Sequence, residues 1–283
     1  MFSQNKIDAI VRIISDASAA TIKLRNEGLQ TFVKKDGTIV TNADMESHRI
    51  IVEGITQEFG NGVNILSEED VDIFDSNNPD YFIIDPIDGT TQFANNGEFC
   101  INIGFISNGV PTFGAIATPM SGKIYYTGID GVFKQNINEN TSHAKKINCI
   151  KELSAEKILG ENTFNYKVIS GERSYAIKYY SRLKQIVLNL KNGGYEICDK
   201  VYGAAAIKYC MLLDKEGDIV INVGDIMSWD IAPAYAMLKQ CGCIIKNSFG
   251  EDIIFGREKI CGLVASGIDA MMYYAFNKVA SEQ

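Results

Sequence analysis

Four apolar residues, Tyr81-Phe82-Ile83-Ile84, run directly into Asp85-Pro86-Ile87-Asp88-Gly89-Thr90-Thr91, and this junction constrains the fold most. A short, fully apolar run reads as a buried strand. Two carboxylates arriving at its carboxyl end must then sit where a sheet fold presents chemistry rather than core. Pro86 fixes φ and Gly89 permits a tight turn, so the segment can aim Asp85 and Asp88 at one point.

Other acidic positions recur at expected strand ends and helix starts: Asp44, Glu68-Glu69 and Asp230. Each has an ordinary explanation when taken alone. Asp-Pro and Asp-Gly are turn formers, Glu68-Glu69-Asp70 reads as a solvated edge, and Asp44 and Asp230 suit the first turn of a helix. These explanations do not account for all four in this order. Oxygen-rich carboxylate sites suit hard Mg²⁺, which takes carboxylate, carbonyl and water oxygens and recruits substrate phosphate. Gly89-Thr90-Thr91 adds hydroxyls and N–H groups at an expected helix start, suited to a phosphate oxygen.

Composition narrows the class. Hydrophobic residues make up 46% and charged residues 22% of 283, so the chain can bury a sizeable core. The net charge is −8 with no Lys/Arg block, which argues against a nucleic-acid partner. An acidic protein that handles an anionic substrate needs local positive charge, and bound cations supply it. Asp8, Arg12 and Asp16 interrupt the start of the chain, so no secretory leader is read there. No run of 18 apolar residues exists, so no membrane span and a cytoplasmic location are expected. The seven cysteines are odd in number and scattered, and Cys241-Gly242-Cys243 reads as buried small side chains rather than a redox pair. Two histidines leave a His-rich zinc site or a Ser-His-Asp triad poorly supplied.

Apolar spacing predicts helices over 5–27 and 43–59, and strands over 63–66, 81–84, 99–106, 110–118 and 123–127. Strands without intervening helices favour antiparallel pairing. Beyond about residue 155, strands at 157–160, 195–198, 219–222 and 243–245 alternate with helices at 174–190, 203–213 and 230–240. That alternation favours a more parallel sheet. The expected division is 1–148, an α+β domain with most of the acidic residues, and 149–283, an α/β domain contributing Asp230.

In combination, Glu68-Glu69, Asp85-Pro86-Ile87-Asp88-Gly89-Thr90 and Trp229-Asp230-Ile231-Ala232-Pro233 resemble the inositol monophosphatase superfamily of lithium-sensitive, magnesium-dependent phosphatases. Lys35-Asp36-Gly37 with Val40-Thr41-Asn42-Ala43-Asp44 matches the family's early loop, and the resemblance runs from about residue 8 to 268. It implies a layered α-β-α-β-α sandwich, antiparallel in its N-terminal part and more parallel in its C-terminal part. It implies that Glu68, Asp85 and the Ile87 carbonyl hold one Mg²⁺, and Asp85, Asp88 and Asp230 a second. Glu69 and Asp44 lie near a third ion or the attacking water, which Thr90 activates with Asp44 or Glu68. Gly89, Thr90 and Thr91 hold the phosphate. The family contains both homodimers and monomers.

Within the superfamily, Leu66-Ser67-Glu68-Glu69-Asp70, Asn96-Gly97-Glu98-Phe99 and Val201-Tyr202-Gly203-Ala204-Ala205 look most like the bacterial 3′(2′),5′-bisphosphate nucleotidases. The resemblance implies hydrolysis of 3′-phosphoadenosine 5′-phosphate to AMP, with Gly203, Arg173 and Lys208 as further substrate contacts. The chain departs from that group at Thr91, where a basic residue is usual, at Ser170–Ser174, and at Gly203-Ala204-Ala205, where hydroxyls are usual. Inositol or sugar phosphates are therefore the alternative small phosphorylated substrates. A non-catalytic metal or phosphometabolite binder is a further alternative. A haloacid-dehalogenase-type phosphatase is not expected, because its paired aspartates have one residue between them, whereas Pro86 and Ile87 separate Asp85 from Asp88.

Overall fold

The computed structural model describes residues 2–34, 37–71, 74–147, 167–171, 196–198, 203–217, 219–247, 249–257 and 259–266. The chain divides into two compact units. The first holds Met1–Ile147 together with Gly203–Ile207 and Ser228–Met237. The second holds Asn148–Tyr202, Lys208–Met227 and Leu238–Gln283.

In the first unit, helix α1 spans Gln4–Glu27 and α2 spans Asn42–Phe59. Between them, β1 (Thr31–Val33), which is exposed, and β2 (Ile39–Thr41), which is half-buried and ends on buried Thr41, form an antiparallel pair. A seven-stranded sheet follows, made of β3 (Ile65–Ser67), β4 (Asp80–Asp88), β5 (Cys100–Ser107), β6 (Val110–Thr118), β7 (Lys123–Thr127), β8 (Val132–Asn136) and β9 (Lys145–Lys146) in sequential order. The β3–β4 pair is parallel and the remaining pairs are antiparallel. The apolar stripe Ile7, Ile10, Val11, Ile14 of α1 and Ile51, Ile55 of α2 pack with Phe82, Ile84, Ile101, Ile103, Phe113 and Ala115 from one sheet face. Burying that much apolar side-chain surface is the main force fixing the two helices to the sheet.

Strand β4 does not stop where the apolar run ends, as the sequence reading expected, but continues through Asp88. Its pairing with β5 slips between Asp85 and Asp88, so the acidic motif is a bulge within a strand. A bulge is one of the few strand positions that tolerates proline. It also re-aims side chains, here two carboxylates. Helix α3 (Thr90–Ala94) follows, entered through Gly89 at φ 92°.

The other face of this sheet receives the start of a helix from late in the chain. A Cβ at Gly114 would lie 2.0 Å from the Pro233 carbonyl oxygen, and one at Gly104 would lie 3.3 Å from the Pro233 ring. Only glycine allows a helix backbone this close to a strand.

Among the described residues, the second unit holds β10 (Lys167–Gly171), β11 (Glu196–Cys198), helix α4 (Ala205–Leu213, entered from the first unit), β12 (Ile219–Ile226), helix α5 (Ser228–Gln240, whose first ten residues belong to the first unit), β13 (Ile244–Asn247) and β14 (Ile260–Ser266). Its sheet order is β11-β10-β12-β14-β13. Two of its four pairings are parallel, against one of six in the first sheet. Strand β14 was not expected from the sequence. The expected strand 157–160 and helix 174–190 lie outside the described residues, while Cys241 and Cys243 are buried at the α5–β13 junction.

Candidate metal centre

Three carboxylates from distant segments converge in the first unit. Asp85, Asp88 and Asp230 each place one oxygen within 4.8 Å of the others. The β4 bulge sets the first two, and the first turn of α5 sets the third. Asp85 and Asp88 are buried. Asp85 Oδ1 accepts from the Ile87 N–H at 3.0 Å, and Asp88 Oδ2 accepts from the Ala206 N–H at 2.9 Å. These bonds orient each carboxylate without neutralising it.

Asp44 is a buried residue in the first turn of α2. It forms a capping box with Thr41: its Oδ2 accepts from the Thr41 N–H at 2.8 Å and the Thr41 hydroxyl at 2.5 Å. Its Oδ1 accepts from the Thr90 hydroxyl at 3.0 Å. The Thr90 hydroxyl also lies 3.1 Å from the Ile87 carbonyl oxygen. Ser47 donates to the Pro86 carbonyl at 2.8 Å, tying α2 to the bulge.

Glu68 and Glu69 follow β3, with the Glu68 N–H bonded to the Ile84 carbonyl at 3.2 Å. Lys34 bridges the pair, with its Nζ 3.5 Å from Glu68 and 2.9 Å from Glu69. Burial alone would lower the Lys34 pKa, but the two glutamates reverse this and raise it.

Burial dominates the electrostatics, and like charge adds to it. Burial, then Glu68, Asp88 and Asp230, hold the Asp85 carboxyl well above the ordinary carboxylate range. Burial likewise raises Glu68 despite Lys34, and raises Asp44 despite its bonds from Thr41 and Thr90. Packed carboxylates that raise one another's pKa are a poor arrangement for a metal-free core and a good one for a divalent cation. Buried Asn102 supports the same fit, since both polar atoms of its side chain lack a protein partner beside Asp85.

The remaining expected residues fall as follows. A Cβ on Gly89 would crowd Ala204 at 3.2 Å. Thr91 is exposed. Gly203 lies against the Gln92 side chain. Lys208 is buried in the second unit and donates from Nζ to Asn222 Oδ1. Arg173 lies outside the described residues. The sequence reading gave no role to Lys34 or Asn102; Asn102 is one amide between Ile101 and Ile103 in an apolar strand.

The inositol monophosphatase family model matches residues 4–278. The chain belongs to the inositol monophosphatase family. As a member, it is a phosphatase, and enzymes of this family are metal-dependent and act on small phosphorylated substrates. Curated relatives include the 3′(2′),5′-bisphosphate nucleotidases CysQ of Salmonella typhimurium and Buchnera aphidicola. The first is 34% identical over 78% of this chain and 80% of its own length. The second is 26% identical over 93% and 92%. Among solved structures, the extragenic suppressor protein suhB of Bartonella henselae aligns with a TM-score of 0.76 at 17% identity over 99% of this chain and 100% of its own. CysQ of Bacteroides thetaiotaomicron aligns at 0.73 and 20% over 94% and 98%. These structures share the inositol monophosphatase fold with this chain. No described helix is long and apolar enough to cross a membrane.

Proposed function

We propose that this phosphatase is Mg²⁺-dependent and removes the 3′-phosphate of 3′-phosphoadenosine 5′-phosphate, giving AMP. The observation that carries the metal assignment is the approach of Asp85, Asp88 and Asp230 within 4.8 Å on a bulge and a helix start. Asp85, Asp88 and Asp230 would hold one ion, and Glu68, Asp85 and the Ile87 carbonyl a second. Glu69 and Asp44 stand nearest a third. Mg²⁺ held there would supply charge neutralisation of the phosphate and lower the pKa of the attacking water. Thr90 and Asp44 form the proton-accepting pair for the attacking water, because the Thr90 hydroxyl donates to Asp44 Oδ1 and leaves its own lone pairs for a water proton. The N–H groups at Thr90 and Thr91, opened by Gly89, orient phosphate oxygens.

The substrate rests on the similarity to CysQ nucleotidases. A second reading, an inositol or sugar phosphate, is favoured by one feature: Thr91 offers no basic group, and Ala204-Ala205 offer no hydroxyls, for a nucleotide's second phosphate. Phosphate release measured side by side with Mg²⁺ separates the two. Faster release from 3′-phosphoadenosine 5′-phosphate than from inositol 1-phosphate is expected. The reverse ranking sinks the nucleotidase assignment and leaves the metal centre standing.

A further inference from the structure

Asn102 is fully buried on β5, yet neither its Oδ1 nor its Nδ2 meets a protein partner. Its strand neighbours Ile101 and Ile103 face the α1–α2 core, so its own side chain stands on the opposite face. Its register partner across the sheet is Asp85. Directly opposed residues on neighbouring strands hold their Cβ atoms about 5 Å apart on one face.

The rest of that face is also defined. Two residues along β5, Gly104 is covered by the Pro233 ring. Pro233 stands three residues beyond Asp230, about one helical turn, and Asp230 reaches back to Asp85. Asn102 therefore sits beneath the α5 turn that joins Asp230 to Pro233, between a candidate metal ligand on the sheet and another on the helix. An apolar side chain would suit this buried position, whose register partner on β6 is buried Ile116 and whose neighbour on the same face is covered by proline. A carboxamide with two unused polar atoms suits it only when something there hydrogen-bonds to both.

We infer that Asn102 is a positioning residue of the metal centre, its carboxamide completing its hydrogen bonds to the ligand carboxylates and to water held by the bound ion. This rests on the metal assignment above. Outer hydrogen-bond partners of this kind orient first ligands, and losing one typically weakens metal affinity about 10- to 100-fold.

The test is Mn²⁺ titration of the metal-stripped chain, following the free-ion electron paramagnetic resonance signal, with thermal melts of the same samples without metal. In Asn102→Leu, the Mn²⁺ dissociation constant should rise about tenfold or more, while the metal-free Tm is not lower than wild type. Asn102→Asp keeps the shape and the acceptor. It should bind Mn²⁺ more tightly than Asn102→Leu, and its metal-free melt should be lower than wild type because a fourth carboxylate joins the cluster. Wild-type Mn²⁺ affinity in Asn102→Leu with a lowered metal-free Tm would show a core residue only and overturn the inference. Should Asn102→Leu fail to fold, Asn102→Asp decides: a metal-free melt equal to wild type overturns the inference, and a lowered one that Mn²⁺ restores supports it. Failure of the wild-type chain to bind Mn²⁺ at all is a separate result that overturns the metal centre itself.

Discussion

Gly114→Ala tests how the site is held together without altering any acidic residue. A Cβ there would lie 2.0 Å from the Pro233 carbonyl oxygen, 2.5 Å from its carbon and 2.6 Å from its Cα, well inside the 3.4 Å at which ordinary contact begins. The obstructing atoms are helix backbone, so no side-chain rotation relieves the clash. The worst contact is 1.4 Å short, and α5 must retreat or β6 must buckle. Forcing an extra methyl into such a close contact costs about 1–3 kcal/mol, which lowers the Tm by several degrees for a chain of this size. Asp230 lies one turn from the clash, so it moves with the helix. Disturbing how a metal ligand is positioned typically costs about 10- to 100-fold in affinity, so Mg²⁺ binding should weaken about tenfold or more. Scanning calorimetry and isothermal titration with Mg²⁺ measure the two effects. Gly62→Ala is the control, since nothing lies within 4 Å of a Cβ there. Wild-type Tm together with wild-type Mg²⁺ affinity in Gly114→Ala would refute the close packing of α5 on the sheet.

Thr90→Ala removes the hydroxyl bonded to Asp44 and should lower kcat about 10²- to 10⁴-fold with little change in KM; a comparable rise in KM with kcat intact would assign Thr90 to binding alone. The third prediction concerns pH without metal. The Asp85 carboxyl has a higher pKa folded than unfolded, so its protonated form favours the folded chain, fully so below the ordinary value near ~4. That contribution is lost as pH rises. Metal-free Asp85→Asn should therefore gain Tm relative to metal-free wild type between about pH 4 and pH 8, and a constant difference across that range would contradict the raised pKa.

Much of the first unit was legible because its period is plain. The Ile7, Ile10, Val11, Ile14 stripe gave α1 within a residue of its start, and alternating or mostly apolar runs gave β5, β6 and β7. The continuation of β4 through Pro86 was not legible, since proline and glycine signal a turn locally, and only the pairing with β5 shows a bulge. Strand β9 is two lysines at the sheet edge, where charge guards against further pairing but leaves no apolar signal. Strand β14 is a continuous run without alternation, which by itself does not distinguish strand from buried helix. At the site, the acidic residues were visible as a set, whereas Lys34 between Glu68 and Glu69 depends on the tertiary fold. Asn102 is similar: its identity is ordinary, and only its register opposite Asp85 makes it notable.

The most direct test of the metal centre is add-back of Mg²⁺ to the chelator-stripped wild-type chain and to Asp88→Asn, following phosphate release from 3′-phosphoadenosine 5′-phosphate and inositol 1-phosphate. Asp88 closes the cluster with Asp85 and Asp230. Stripped wild type should be inactive on both substrates and recover with Mg²⁺ on at least one, while Asp88→Asn stays nearly inactive at the same Mg²⁺. Turnover by the stripped wild type, or wild-type rates in Asp88→Asn, would contradict the assignment of these three aspartates as the metal site.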